Sequence, residues 1–362
     1  MAGLKRLFST RKGIVFTGIL IGIVAPLLQR FGNPPNMGIC IACFERDIAG
    51  ALGLHRATVV QYLRPEIMAI AIGSFFSSLL FREFRPRTGS SPLIRFMLGF
   101  FGMVGALIFL GCPWRALIRL SAGDLNAVLG ILGLVAGIWT GAFFLQMGYN
   151  PGRKIDSHFL VGSSFAIAMA FLLFLLFYFP PVSGQQQSDI IFYSVNGPGS
   201  MHAPYAVSIA FGLLIGFVMQ RSRFCSIGGI RDLILYREAH LFLGVAGLVA
   251  AAFFTNLFLG QFHAGFSNQP IAHTESLWNF LGMLLAGLCF TLAGGCPARQ
   301  LVLAAEGDGD SALFVFGMIM GAAFSHNFGL ASSPKGIGPH ALGGLITGLA
   351  FCLLVGFTMR RR

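Results

Sequence analysis

The sequence predicts an all-α polytopic membrane protein of about ten transmembrane helices, arranged as two inverted five-span repeats whose broken segments meet at the midplane in an hourglass. Three observations support this fold class. Of the 362 residues, 55% are hydrophobic and 10% are charged, whereas a soluble domain has about 25% charged residues. Apolar runs long enough to cross a bilayer recur along the whole chain. Two short motifs occur once in each half of the sequence.

The apolar runs define the expected spans. A helix needs about 20 apolar residues to cross a hydrocarbon core of roughly 30 Å. Ten segments meet or approach this requirement, at residues 13–31, 67–81, 93–111, 124–146, 158–179, 204–219, 240–259, 277–295, 312–328 and 340–358. The first segment has the basic front of a signal peptide but no small-residue cleavage site before Asn33, so we interpret it as a span.

The basic residues indicate the orientation. Most of the 25 Lys and Arg lie in short clusters on the side of the membrane that holds both ends of the chain, such as residues 82–95 and 221–237. The positive-inside rule assigns this side to the cytoplasm, so we expect a multi-pass protein of the cell inner membrane with both termini cytoplasmic. Because these clusters do not follow one face or tail, the net charge of +12 indicates a lipid bilayer and no nucleic acid as partner.

Two motifs carry an internal repeat. Residues 111–115 read Gly-Cys-Pro-Trp-Arg, and residues 295–299 read Gly-Cys-Pro-Ala-Arg. Residues 40–47 begin with Cys and end with Arg-Asp, as do residues 225–232, at nearly the same offset. Two independent motifs at one offset indicate a duplication of the whole half.

The repeat predicts the domain organisation. Each half holds five spans, so the second copy enters the membrane from the opposite side and the repeat is inverted. The expected units are residues 1–182 and residues 204–362. The periplasmic loop that connects them, at residues 183–203, contains no Lys or Arg.

Gly-Cys-Pro ends an apolar run in each half. Because proline lacks an N–H group and fits the first turn of a helix, Pro113 and Pro297 predict that the chain stops there and restarts as a short helix. The start of such a helix favours an anion. Residues 34–47 are too polar and too short to span, so we expect them to re-enter the membrane, with residues 223–225 as their counterpart on the inner side. Such segments are tolerated where they line a cavity.

Cysteines stand at all of these breaks. The substrate path is predicted at five of the seven, with three on the outer approach and two on the inner one: Cys40, Cys43, Cys112, Cys225 and Cys296. An odd number without zinc-ligand spacing indicates free thiols and no metal. Soft sulfur suits a soft chalcogen anion better than phosphate or sulfate. Cys289 and Cys352 lie inside apolar runs and are expected only to pack.

Charged residues accompany the cysteines at equivalent positions of the two halves. The pairs are Arg46 with Arg231, Asp47 with Asp232, and Arg115 with Arg299. A charge at membrane depth is costly and is a functional candidate by default. Two roles remain open for the arginines: steering an anion, or forming ion pairs with Asp47, Asp232 or Asp124.

With these residues in hand, the chain resembles the YeeE/YedE family of sulfur-transport membrane proteins, most of all its selenium-metabolism YedE branch. Residues 33–56, 221–232 and 294–308 carry the resemblance.

The resemblance implies an hourglass transporter that passes a reduced selenium or sulfur species, with a selenium compound favoured and a thiosulfate-like anion next. Cys112, Cys225 and Cys296 would contact the anion, with Cys40 as the counterpart of Cys225 and Cys43 as an addition in this chain. A cytoplasmic sulfur or selenium carrier protein is implied as a partner.

Two other functions remain open. In a membrane thiol-disulfide redox enzyme, Cys40 and Cys43 would alternate between dithiol and disulfide. A receptor or scaffold would not require cysteines on both faces. No haem, flavin, quinone or nucleotide-binding motif is evident in the sequence, so no cofactor is predicted, and transport is favoured over enzymatic activity.

Overall fold

The structure is a computed structural model that describes residues 8–182, 184, 187–188 and 190–360. Four basic residues used for the orientation, Lys5, Arg6, Arg361 and Arg362, lie outside the described residues, as does part of the expected connecting loop. The described ranges are almost entirely helices and the loops between them.

Within the described ranges, seven α-helices form the first half and seven form the second. The first half contains α1 (Arg11–Arg30), α2 (Ile41–Ala51), α3 (Pro65–Leu80), α4 (Pro92–Phe109), α5 (Pro113–Ser121), α6 (Asn126–Gln146) and α7 (Phe159–Tyr178). The second half contains α8 (Tyr205–Ser222), α9 (Ser226–Tyr236), α10 (His240–Phe258), α11 (Ser276–Ala293), α12 (Pro297–Ala305), α13 (Gly309–Asn327) and α14 (Ala341–Thr358). Both halves follow the order long, short, long, long, short, long, long.

The ten long helices coincide with the ten expected spans. Among the described residues, eight helical segments are long and apolar enough to cross a membrane. Helices α3, with 16 residues, and α13, with 19 residues, complete the set. The fold class predicted from composition is therefore confirmed: the chain is an all-α, multi-pass membrane protein.

Two short antiparallel strand pairs lie in the loops. Strand β1 (Arg87–Thr88) pairs with β2 (Ile155–Asp156), with Arg87 opposite Asp156. Strand β3 (Gln187–Ser188) pairs with β4 (Ile191–Phe192) in the loop between the halves. The first pair joins the loops that enter α4 and α7 and holds these helices at one end of the bundle.

The main helix packings exchange partners between the halves. Helix α1 packs on α10 while α3 packs on α8, and α6 packs on α11 while α4 packs on α13. The counterparts α4 and α11 also pack on each other, through Gly105 and Gly282. A Cβ atom on Gly282 would lie 2.8 Å from the Gly105 carbonyl oxygen, so only glycine permits this approach. When each helix in these pairs is replaced by its counterpart in the other half, the same set of helix pairs results.

The last helix of each half departs from this symmetry. Helix α7 packs on α3, α12 and α13, whereas α14 packs on α4, α11 and α6. The groove formed by α5, α6, α9 and α10 is therefore left open. Its walls are apolar and include Leu117, Val135, Leu233 and Phe253.

The close packing predicts a large difference between two Gly→Ala substitutions. A Cβ at Gly317, which is buried on α13, would overlap the carbonyl oxygen of Phe96 on α4. Gly317→Ala should therefore separate the helices and destabilise the protein by about 1–3 kcal/mol. The measurement is the thermal unfolding midpoint in detergent.

Gly343 on α14 provides the matched control, because it is exposed and a Cβ atom added there would have no other atom within 4 Å. Gly343→Ala should leave the midpoint unchanged or raise it, since alanine favours a helix over glycine by roughly 0.5–1 kcal/mol. Equal midpoints for the two variants would contradict the packing described.

Candidate functional site

Four short helices lie at the centre of the protein, and each begins at a cysteine. Cys40, Cys112, Cys225 and Cys296 are the N-cap residues of α2, α5, α9 and α12. Pro113 and Pro297 occupy the first turns of α5 and α12, which confirms the predicted restart after Gly-Cys-Pro. The short helices also meet across the halves, α5 with α9 and α2 with α12.

The backbone turns sharply before each of these cysteines. Two residues upstream, at Gly38, Leu110, Arg223 and Gly294, φ is between +51° and +89°, in the left-handed region. Glycine adopts this conformation readily, but Leu110 and Arg223 do so at a steric cost. Gly38 and Gly294 are residues from which such turns could be expected in the sequence, whereas Leu110 and Arg223 are not.

Three of the four N-cap sulfurs accept a hydrogen bond from the first turn of their helix, and the sulfur of Cys112 does not. Cys225 Sγ accepts a hydrogen bond from the Gly228 backbone N–H at 3.3 Å, and Cys296 Sγ accepts one from Arg299 at 3.4 Å. Cys40 Sγ accepts from the Cys43 N–H at 3.4 Å. Sulfur is a weak acceptor, so it satisfies these N–H groups less well than the oxygen of a usual cap. The sulfurs therefore lie at the positive ends of helices, where negative charge is favoured.

Three sulfurs form a cluster in the first half. Cys40 Sγ lies 2.9 Å from Cys43 Sγ and 3.7 Å from Cys112 Sγ. Arg115 Nη1 lies 3.3 Å from Cys43 Sγ. Helices α2 and α5 thus bring together three soft atoms and one cation that are distant in the sequence.

Arg115 is fully buried and no described carboxylate pairs with it. Its guanidinium donates to three backbone carbonyls, those of Asn36 (3.0 Å), Ile271 (2.8 Å) and Leu110. Carbonyl dipoles orient the guanidinium but do not neutralise it. A buried positive charge therefore stands beside the three sulfurs.

The second half has a smaller and electrically balanced cluster. Cys225 Sγ accepts a hydrogen bond from the Cys296 backbone N–H at 3.3 Å. Gly228 occupies the position equivalent to Cys43, so a third sulfur is absent here among the described residues. Arg299, the counterpart of Arg115, pairs with Glu306 at 3.1 Å.

The other charged residues that the sequence predicted at the site form ion pairs. Arg46 pairs with Asp47 at 2.7 Å, and Arg231 pairs with Asp232 at 2.8 Å. Two arginines that sequence reasoning missed take part as well: Arg64 also pairs with Asp47, and Arg119 pairs with Asp124. Asp124 therefore does not pair with Arg115. Of the two roles left open for the arginines, ion pairing describes Arg46, Arg231 and Arg299.

Two vestibules open at opposite ends of α1, a helix of 20 residues and thus about 30 Å long. A vestibule of about 480 Å³ lies at its start and one of about 310 Å³ at its end. The larger is lined by Ser9, Ile14, Glu83, Arg221, Ser222, Arg223, Asp232, Glu238, His240 and Leu241. The smaller is lined by Gln29, Asn33, Pro35, Asn36, Ala122, Gly260, Gln261, His263, Gln269 and Pro270. Residues 221–223 lead to Cys225, and Asn36 leads to Cys40.

The described conformation is closed between the vestibules. The five cysteines that the sequence predicts on a substrate path are buried, and Cys225, at 6%, is the most exposed of them. The buried rings of Trp114 and Phe224 lie 6.4 Å apart, close in sequence to Cys112 and Cys225. An anion that passed between the vestibules would have to displace aromatic side chains at this point.

One cysteine pair was missed by the sequence reasoning. Cys289 on α11 and Cys352 on α14 have their sulfurs 3.3 Å apart, and both are fully buried. They have no repeat counterparts, so the duplication gave no signal for them. The contact joins α14 to α11 and lies outside the short-helix centre.

Comparisons with known proteins agree with this architecture. Residues 221–354 match a family model described as sulphur transport. The thiosulfate transporter TsuA of Escherichia coli (strain K12) is 34% identical over 113 residues, which is 31% of this chain and 31% of that protein. TsuA of Spirochaeta thermophila is 29% identical over 96 residues, covering 26% and 28% of the two chains. The matches span less than a third of the length of these relatives.

The family model covers residues 221–223 of the larger vestibule and both cysteines of the second cluster, Cys225 and Cys296. The matched stretch is therefore the one that contains α9 and α12 with their capping sulfurs. Over residues 221–354, the chain is therefore similar to the sulphur-transport family.

Proposed function

We propose that this protein is an inner-membrane transporter that passes a reduced sulfur or selenium anion along its cysteines. One observation carries the proposal: three sulfurs and the unpaired guanidinium of Arg115 converge at the starts of α2 and α5. Moving an anion into a bilayer is costly unless charge and hydrogen-bond donors replace its water. Here a buried cation and two helix starts supply both.

The sulfur atoms favour a particular class of anion. A thiol is a weak donor with a polarizable sulfur, so it stabilises the soft terminal sulfur or selenium of an anion better than a hard oxygen. Arg115 supplies the charge that such an anion requires. The substrate class is therefore a reduced chalcogen anion, with Cys40, Cys43 and Cys112 as the outer contacts and Cys225 and Cys296 as the inner ones.

In this proposal, the path for the anion begins and ends at the two vestibules. The smaller is lined mainly by neutral amide side chains, and the larger contains Arg221 and Arg223. Helix α8 ends in the vestibule where α1 begins, so the first helices of the two halves run in opposite directions. This supports inverted repeats at residues 1–182 and 204–362, joined by a periplasmic loop at residues 183–203. The larger vestibule and both termini would then face the cytoplasm, where a sulfur or selenium carrier protein would receive the product.

The similarity to two proteins named as thiosulfate transporters makes thiosulfate the first substrate to test. The selenium compound favoured by the sequence resemblance has the same soft chemistry and remains part of the proposal. Selenide and selenite are therefore compared with thiosulfate in the same assay.

A second function is favoured by one distance. Cys40 Sγ and Cys43 Sγ are 2.9 Å apart, so the two thiols are placed for oxidation to a disulfide. A membrane redox enzyme would use this pair alone. It would not need the second cluster, and substitution of Cys296 would leave its activity intact.

The first prediction concerns uptake into sealed proteoliposomes of labelled thiosulfate, selenide and selenite. Cys112→Ala and Cys296→Ala should each lower the initial rate for the transported species at least about tenfold, which corresponds to roughly 1.4 kcal/mol in the barrier. Each substitution removes a sulfur contact from one of the two clusters. Loss in both variants would identify the substrate and connect both clusters to one path.

Cys352→Ala is the matched control, because it also removes a buried thiol but lies outside the short-helix centre. It should keep the wild-type rate. Uptake that is insensitive to both Cys112 and Cys296, or no uptake of any of the three compounds, would contradict the proposal and favour the redox function.

The second prediction concerns Arg115. A charged hydrogen bond contributes about 1.5–3 kcal/mol, so Arg115→Gln should raise the Kd for thiosulfate roughly 10- to 150-fold. Binding is measured by calorimetry in detergent. Arg153→Gln, at an exposed loop position, should leave the Kd unchanged. Equal affinities for wild type and Arg115→Gln would show that Arg115 only holds the backbone of residues 36, 110 and 271.

A further inference from the structure

Glu45 is a buried carboxyl group with no partner among the described residues. It lies on α2, two residues after Cys43, and its exposed fraction is 0%. Neither of its oxygens accepts or donates a hydrogen bond. The adjacent Arg46 and Asp47 pair with each other instead. Glu45 is thus the one residue of this charged triplet without a described polar contact.

The second half shows that the fold does not need a carboxyl group here. When the Arg46-Asp47 pair is superimposed on Arg231-Asp232, Glu45 corresponds to Ile230. Ile230 is also buried, in the equivalent turn of α9. An apolar side chain fills this position in one half, so the carboxyl group in the other half is a specific addition.

The helix packed on α2 carries further buried polar atoms. Helix α2 packs chiefly on α13, where Ser325 Oγ and His326 Nε2 are also buried without a partner. The ring of His326 lies 4.7 Å from that of His55. Besides Glu45, the charged or titratable groups on α2, on the helices packed against it and on the adjoining loop are Cys43, Arg46, Asp47, His55, Arg56, Tyr62, Arg64, Glu66, Arg95, Arg299, Glu306, Asp310 and His326.

The environment determines the charge state of Glu45 in this conformation. An ionised carboxylate that is buried without a hydrogen bond or counter-charge would cost many kcal/mol, so the group is held as the neutral acid. It can lose its proton only when a movement of α2 or its neighbours admits water. Because α2 begins at Cys40 and carries Cys43, any such movement also moves the sulfurs of the first cluster.

We infer that Glu45 is a proton-binding site that couples the passage of the anion to the passage of one proton. This inference rests on the proposed transport function and names its driving ion. When α2 is open to one vestibule, the Glu45 carboxylate takes up a proton and becomes the neutral acid, and when α2 is open to the other vestibule the acid releases this proton to water and becomes a carboxylate again. No electrons are transferred, and the carboxyl group returns to its starting state in each cycle.

The test uses proteoliposomes of the full chain with a pH-sensitive dye inside and the membrane potential clamped at zero. Wild-type uptake of thiosulfate should acidify the interior by about one proton per anion. An inward proton gradient of one pH unit should then raise the steady accumulation about tenfold, because a tenfold ratio is about 1.4 kcal/mol. Uptake without acidification would overturn the coupling, whereas no wild-type uptake would overturn the proposed transport and the inference with it.

Two variants locate the coupling. Glu45→Gln, and Glu45→Ile as in the second half, should still exchange internal for external thiosulfate but should lose accumulation driven by the proton gradient. The exposed Glu275→Gln should behave as wild type. Infrared spectra should contain a carboxylic acid C=O band that is missing from Glu45→Gln, a readout independent of transport. Retained gradient-driven accumulation in Glu45→Gln, or no loss of the band, would overturn the inference.

Discussion

The structure depends on one constraint, that helix ends inside a membrane must find hydrogen-bond partners in the protein. Four helices begin at the centre of this chain, and no lipid can satisfy their first N–H groups. Cysteine sulfurs cap three of the four, and only weakly. The packing of ten long helices around the short ones excludes lipid from these starts, and the glycine contacts between α4 and α11 make that packing close enough. Because these N–H groups are only weakly capped, they can still donate to an anion at the centre of the protein.

The fold is nearly symmetric, whereas its chemistry is not. Helix order, main packings and a cysteine at the N-cap position of each short helix repeat in both halves. Two chemical groups occur only in the first half: Cys43 is equivalent to Gly228 of the second half, and Glu45 is equivalent to Ile230. The two halves place their short helices alike, and they differ in single side chains near the helix starts. The function must therefore be argued from the residues that break the symmetry as well as from those that repeat.

Much of the fold was predictable from the sequence. Apolar runs of sufficient length predict the ten long helices, because a bilayer admits few other structures. Gly-Cys-Pro predicts the short helices α5 and α12, because proline interrupts the preceding helix. The recurrence of cysteine at nearly the same sequence offset in the two halves singled out the four N-cap cysteines. The closeness of Cys40, Cys43 and Cys112 was not predictable, because it depends on how α2 and α5 pack.

Ion-pair partners were equally hidden from the sequence. Arg119, rather than Arg115, pairs with Asp124, because Arg119 lies one turn nearer to the end of α5, and the position of that end was known only from the structure. Arg64 pairs with Asp47 across a loop and has no counterpart that would draw attention to it. Glu45 gave no signal either, since burial without a partner becomes visible only once the neighbours are placed.

The buried charges differ between the two clusters on the proposed path. Near the first cluster, Arg46 and Arg64 share the single carboxylate of Asp47, and Arg115 has no described carboxylate partner. Near the second cluster, Arg231 and Arg299 each have their own carboxylate. In a medium of low dielectric, an excess of positive charge attracts an anion strongly, while a balanced region does not retain it. An anion on the proposed path would thus bind more tightly at the three-sulfur cluster than at the two-sulfur cluster.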